Sequence, residues 1–122
     1  FGTWQGVKRD DFAKVTGKMM HHFWIAPAFE RAPEGESFTD LIARVAPTIT
    51  RLCAEHAGKD IVCVAHGGTI RAALALALGL GPDKALAFRT VNCGLTRLDH
   101  ILDDNEKGGV WRVVTVNQDP AD

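Results

Sequence analysis

The sequence predicts an α/β fold on the order of its elements. Residues 61–65 form a continuous apolar run, as in a central parallel strand that is buried on both faces. Residues 66–68 then form a tight glycine-rich turn, and residues 69–78 have the composition of a helix closed by Gly79. A strand, a glycine turn and a helix in this order indicate an α/β architecture.

The segments before this strand are predicted to be helical. Residues 8–25 show roughly helical apolar spacing, and residues 26–35 are a proline-containing loop. Residues 37–56 carry an apolar stripe at helical spacing, with Ser37 as the N-cap and Asp40 in the first turn. We expect Gly58 to end this helix.

The segments after Pro82 have a different pattern. Residues 95–102 and 110–116 are strand-like and are joined by a polar loop, which predicts an antiparallel hairpin at a sheet edge. Residues 117–122 are predicted to be a frayed tail.

Composition limits the classes of function. The chain has 122 residues, 46% of them hydrophobic, which suits one globular core, and a formal net charge of −1. This charge balance gives no basic patch, so we expect neither nucleic acid nor membrane as a partner. The three cysteines are widely spaced in apolar stretches, which predicts reduced, buried thiols in a cytoplasmic protein.

His66 is the first candidate functional residue. It follows a predicted buried strand at the carboxyl end, where open α/β sheets bind their ligands. Gly67 and Gly68 allow the backbone to approach a ligand closely, and the next helix directs free N–H groups at the same point. This combination favours an anion, particularly phosphate, whose developing charge an imidazole can stabilise.

Two other interpretations of His66 were weighed. It can be a simple hydrogen-bonded histidine at a strand end. The run His-Gly-Gly also supplies an oxyanion hole in lipase-like hydrolases, but the sequence lacks the required G-x-S-x-G elbow. The remaining histidines show no metal-ligand spacing and the cysteines form no C-x-x-C pair, so no metal site is predicted.

Two loop features are weaker candidates. Glu36 and Ser37 open a helix after a proline-containing loop, so they either border a pocket or only cap the helix. Asn92 precedes a strand and belongs to a pocket wall or, as we favour, to a turn. Arg71 and Arg89 are possible phosphate partners, although exposed surface arginines are common.

Several motifs together resemble one family. Phe1-Gly2-x-Trp4-x-Gly6 is similar to the F-G-x-W-E-G segment of histidine phosphatases in the phosphoglycerate-mutase-like superfamily. The segment Gly35-Glu36-Ser37 resembles the family's G-E-S helix start, and His66-Gly67-Gly68 resembles its second histidine motif. Asn92 falls where the family often has an asparagine. The resemblance covers essentially the whole chain in order and spacing.

The resemblance implies a three-layer α/β/α fold and phosphoryl transfer through a phosphohistidine, without metal or organic cofactor. His66 would stabilise the transferring group and Gly67 would donate a backbone N–H to the phosphate. Glu36, Ser37 and Asn92 would lie near the substrate, a small phosphorylated molecule or inorganic phosphate. The implied activity is that of a phosphomonoester hydrolase, with phosphoglycerate mutase as the alternative.

The sequence departs from the family in one important respect. It contains no R-H-G motif, which in the family carries the nucleophilic histidine. We therefore expect residues 1–122 to be a single partial domain, inactive alone, with apolar residues of the 61–65 strand left exposed. The other account is a truncated, non-catalytic relative that binds a phosphorylated ligand or a partner chain.

Overall fold

The computed structural model describes residues 36–103 and 105–121. The predicted helical region 8–25, the loop 26–35 and the motif that begins at Phe1 lie outside the described residues. The described elements are three helices and two strands in the order α1 (Phe38–Glu55), α2 (Gly67–Leu78), α3 (Pro82–Ala85), β1 (Leu95–Asp103) and β2 (Glu106–Gln118).

Helix α1 begins with the cap that the sequence predicts. The Ser37 hydroxyl accepts a hydrogen bond from the Asp40 backbone N–H at 3.0 Å, and the Asp40 carboxylate accepts one from the Ser37 N–H at 3.0 Å. These reciprocal bonds form a capping box, which satisfies backbone donors that the helix itself leaves open. The helix ends at Glu55 with His56 as its C-cap, so the predicted helix 37–56 is confirmed; Gly58 lies two residues beyond that cap.

The core lies between the first two helices. Phe38 and Val45 of α1 are buried in one cluster with Ala72 and Ala75 of α2, and Ala85 of α3 joins them. The alanines lack long side chains, so the two helices approach each other closely, and Phe38 fills the space with only 1% of its surface exposed. Burial of this apolar face holds α2 in place against α1.

Helix α2 starts two residues before its predicted first residue, at Gly67 rather than Thr69. Its C-cap is Gly79, with φ of 63°, a left-handed conformation that glycine adopts at little cost. The predicted closure of the helix by Gly79 is therefore confirmed. The earlier start makes His66 the N-cap, so the glycines are part of the first turn of the helix.

The predicted central strand at residues 61–65 is not formed within the described residues. This segment pairs with no strand in ranges 36–103 and 105–121, and Val62 is 90% exposed. A strand needs a hydrogen-bonded neighbour, and the described part of the chain supplies none. The apolar side chains of Ile61, Val62 and Val64 are exposed, as expected for a segment whose neighbour is lacking.

The predicted antiparallel hairpin is confirmed by the pairing of β1 with β2. Its turn is shorter than expected, because Asp103 already pairs with Glu106. The prediction of a frayed tail from residue 117 is wrong for its first two residues. Asn117 and Gln118 belong to β2, and Gln118 pairs with Leu95 at the start of β1.

The cysteines are less buried than the sequence predicts. All three are free thiols, but Cys63 and Cys93 are exposed and Cys53 is half-buried. Cys63 lies on the unpaired segment and Cys93 lies in a turn, so neither is covered by a packed element. Burial raises the pKa of the Cys53 thiol, and Cys63 adds to this effect.

Among α1, α2 and α3, none has the length and apolar content needed to cross a bilayer.

The cap of α1 gives a first prediction. Replacing Ser37 with alanine removes the acceptor for the Asp40 N–H and should lower the free energy of unfolding by about 1 kcal/mol. Ser37→Thr keeps a hydroxyl, so its free energy of unfolding should fall clearly less. Urea denaturation of both variants measures the difference, and equal stabilities for Ser37→Ala and the parent would contradict the capping role.

Candidate functional site

His66 stands at the N-terminus of α2 with its side chain uninvolved in the helix start. It is the N-cap residue, with extended backbone angles (φ −100°, ψ 166°), and its imidazole makes no capping hydrogen bond. Its carbonyl oxygen accepts the Ile70 N–H at 3.1 Å, which fixes the backbone. The residue is exposed, and its ring is not used to cap the helix.

The first turn of α2 favours a bound anion. The N–H groups at the start of a helix have no partner within the helix, and the aligned peptide dipoles place partial positive charge there. Here Gly67 and Gly68 are the first two residues of this turn, so neither adds a side chain of its own beside the backbone. An imidazole beside such donors can supply a further hydrogen bond to a phosphoryl oxygen.

Gly67 is required by close packing. A Cβ atom at this position would lie 2.5 Å from Oγ1 of Thr90 and 3.1 Å from Nη1 of Arg71. The first distance is shorter than any normal van der Waals contact. Thr90 therefore belongs to the site. Sequence patterns do not indicate this residue, because its place depends on how residues 88–94 fold back onto α2.

Arg71 holds the segment of residues 88–94 against α2. Its Nε donates a hydrogen bond of 2.8 Å to the carbonyl oxygen of Phe88, and the side chain is half-buried. Burial lowers the pKa of the guanidinium from its ordinary value, yet arginine remains charged at neutral pH. The cation thus lies beside the first turn of α2 and adds positive charge there. Arg89, the other arginine considered, is exposed.

Glu36 and Ser37 lie at the start of α1 and have partners of their own. The Glu36 carboxylate accepts two hydrogen bonds from Arg44, one from Nε and one from Nη2, both at 3.1 Å. This exposed pair raises the pKa of Arg44. Ser37 is 4% exposed and caps the helix. The sequence did not predict Arg44 as a partner of Glu36, because the pair depends on the side-chain geometry of the first helical turns.

Asn92 lies in a turn, as the sequence favoured. The Gly94 N–H donates to the Val91 carbonyl oxygen at 3.0 Å, and Cys93 has φ of 65°. An i to i+3 hydrogen bond with positive φ only at the third residue is typical of a type II turn. Asn92 is the exposed second residue of this turn, two positions after Thr90.

The structure brings some of the predicted residues together and leaves others on a separate element. Gly67 and His66 share one helix start, and Thr90 links that start to the segment that carries Asn92. Glu36 and Ser37 precede Phe38, which shares the core with Ala72 of α2. Within ranges 36–103 and 105–121, no three acidic, histidine or cysteine side chains are grouped to hold a metal ion.

Comparison with known proteins identifies the family. The sequence profile of the histidine phosphatase superfamily (branch 1) matches residues 1–119. This chain belongs to the histidine phosphatase superfamily. The family predicted from the sequence motifs is thereby confirmed.

Individual relatives agree with this assignment. The chain is 33% identical over 85 residues to a 2,3-bisphosphoglycerate-dependent phosphoglycerate mutase of Beijerinckia indica, covering 68% of this chain and 41% of the mutase. A solved structure of mycobacterial hydrolase 2 matches 97% of this chain and 55% of its own, with a TM-score of 0.77 and 26% identity. A mycobacterial glucosyl-3-phosphoglycerate phosphatase matches 96% of this chain and 60% of its own, with a TM-score of 0.69 and 29% identity.

These matches confirm the α/β fold of the phosphoglycerate-mutase-like type. They also show that the chain spans about half the length of the relatives it matches.

The packing of Gly67 gives a second prediction. Gly67→Ala should destabilise the protein by about 1–3 kcal/mol, because the new methyl group overlaps the Thr90 hydroxyl. Alanine is otherwise the better helix former by about 1 kcal/mol, so a lower free energy of unfolding would be due to this contact. Urea denaturation of Gly67→Ala, of Thr90→Ala and of the variant that combines them measures the effect.

The variant that combines Gly67→Ala with Thr90→Ala tests the contact itself. In the Gly67→Ala background, Thr90→Ala removes the overlapping atom and should recover much of the lost stability, whereas the bulkier Thr90→Val should not. Independent, additive effects of Gly67→Ala and Thr90→Ala would refute the contact.

Proposed function

We propose that this chain is part of a single histidine phosphatase domain that hydrolyses a small phosphomonoester, and that His66 stabilises the phosphoryl group during transfer. The observation that carries the proposal is the place of His66. His66 is exposed and immediately precedes Gly67 in the first turn of α2, and the Arg71 guanidinium lies beside Gly67. These groups together supply the donors and positive charge that a phosphoryl group needs.

The catalytic groups come partly from this chain and partly from the rest of the domain. A histidine nitrogen attacks phosphorus and the ester oxygen leaves with a proton from an acidic group; water then attacks the phosphohistidine and releases inorganic phosphate. The nucleophile is supplied from outside these 122 residues, which contain no R-H-G motif. His66 and the α2 amides bind the equatorial oxygens, where negative charge is spread in the transition state.

Hydrolysis is favoured over mutase activity by the structural neighbours. The matched structures are named as a hydrolase and a phosphatase, and each aligns with nearly the whole chain. Among the phosphoglycerate mutases, one alignment covers 68% of the chain and another covers 88%. The mutase nevertheless remains the second candidate, because the curated relatives carry that name. The two reactions differ in what attacks the phosphoenzyme, water or a hydroxyl of a second phosphorylated molecule.

The names of the relatives suggest which substrates to assay first. One neighbour is a phosphatase of glucosyl-3-phosphoglycerate, and several curated relatives are phosphoglycerate mutases. We therefore propose a phosphorylated glycerate derivative as the first substrate class for the complete domain, with a chromogenic aryl phosphate as a general probe. Release of inorganic phosphate supports the hydrolase, and isomerisation without release supports the mutase. Absence of both supports the non-catalytic relative.

The role of His66 gives a third prediction. In the complete domain, His66→Ala should lower kcat by about 100-fold or more, because donors aimed at transition-state charge have effects of this size. His56→Ala is the matched control, since His56 is an exposed histidine at the C-cap of α1. Steady-state hydrolysis of the same phosphoester measures both variants. Equal kcat values for His66→Ala and the parent would remove His66 from the mechanism.

A further inference from the structure

Asn117 has an unusual conformation for a residue within a strand. It lies near the end of β2 with φ of 55°, a left-handed conformation that few residues other than glycine and asparagine adopt. The pairing register shifts at the same place, between the pairs Leu95–Gln118 and Arg97–Thr115. Such irregularities bend a strand and redirect a side chain, and they are common beside active sites.

The side chain of Asn117 holds the turn that carries Asn92. Its Oδ1 accepts the Val91 backbone N–H at 2.8 Å. The same oxygen lies 2.6 Å from the position that a Cβ atom on Gly94 would occupy. The backbone N–H of Asn117 donates in turn to the Thr96 hydroxyl at 3.2 Å. The carboxamide therefore lies against both ends of the turn, and the backbone of Asn117 is bonded to the Thr96 side chain of β1.

The anchored segment is the one that packs on the start of α2. Arg71 holds it at Phe88, Asn117 holds it at Val91, and Thr90 contacts Gly67 between these two anchors. Val91 is flanked by Thr90 and Asn92, so a shift of its backbone displaces both neighbours.

We propose that Asn117 is a positioning residue, which acts through the backbone of Val91 to hold Thr90 against Gly67 and Asn92 beside the phosphoryl site. This inference rests on the proposed function, because it assigns Asn117 a part in binding the phosphorylated substrate. Asn117 itself touches the turn and leaves the reacting atoms to His66 and the α2 amides.

Three replacements separate the effect of the Asn117 side chain from the effect of its backbone conformation. Asn117→Gly keeps the left-handed backbone accessible and removes the acceptor for the Val91 N–H. Asn117→Asp keeps an acceptor oxygen of the same reach and tolerates the same backbone angles. Asn105→Gly is the matched control, since it makes the same chemical change in the exposed turn at the other end of the hairpin.

The complete domain is assayed for KM, kcat and inhibition by inorganic phosphate under conditions where every variant is folded. For Asn117→Gly we expect KM and the phosphate inhibition constant to rise about three- to tenfold, the effect of one lost hydrogen bond, with a smaller change in kcat. Asn117→Asp should stay within about twofold of the parent. A role in stability alone would leave both constants unchanged in the folded variants.

Amide hydrogen exchange, followed by NMR, measures the protection of the Val91 N–H in the turn independently of activity. The Val91 amide should exchange faster in Asn117→Gly than in the parent and in Asn117→Asp. Faster exchange with unchanged KM and phosphate inhibition would overturn the positioning role, and so would a Val91 amide that stays protected. An inactive parent domain that does not bind phosphate would refute the proposed function instead.

Discussion

The start of α2 leaves no space for a side chain at residue 67, and the candidate site depends on this constraint. Thr90 and Arg71 occupy the space where a Cβ atom would lie. The absence of a side chain on residue 67 allows the segment after α3 to lie beside the first turn of the helix. The close packing therefore requires a glycine at this position.

One short segment, from His66 into α2, provides positive charge and hydrogen-bond donors at this helix start. His66 provides an exposed imidazole, Arg71 a half-buried cation, and α2 its own dipole. Arg71 also donates to Phe88, so one side chain both positions the neighbouring segment and contributes to the electrostatic field. The Glu36–Arg44 pair at the start of α1 is a separate, exposed feature, and surface pairs of this kind contribute little to stability.

Local signals in the sequence predicted the local structure well. The cap at Ser37 and the left-handed Gly79 follow from the chemistry of single residues, and the structure confirms both. Thr90 and Asn117 were not predicted, because their roles depend on contacts between residues far apart in the chain. The prediction of a strand at residues 61–65 was wrong for a related reason. Its composition suits a central strand, but strand formation depends on a neighbour that the described residues lack.

Phosphate titration of the isotope-labelled complete domain tests most directly the proposal that the first turn of α2 binds a phosphoryl group. We expect saturable NMR shifts at the Gly67 and Gly68 amides and at the His66 ring, because these groups would donate to the phosphate oxygens. The resonance of the Asn105 amide, in the exposed hairpin turn, should not shift. Saturable binding that leaves Gly67, Gly68 and His66 unshifted would contradict the account.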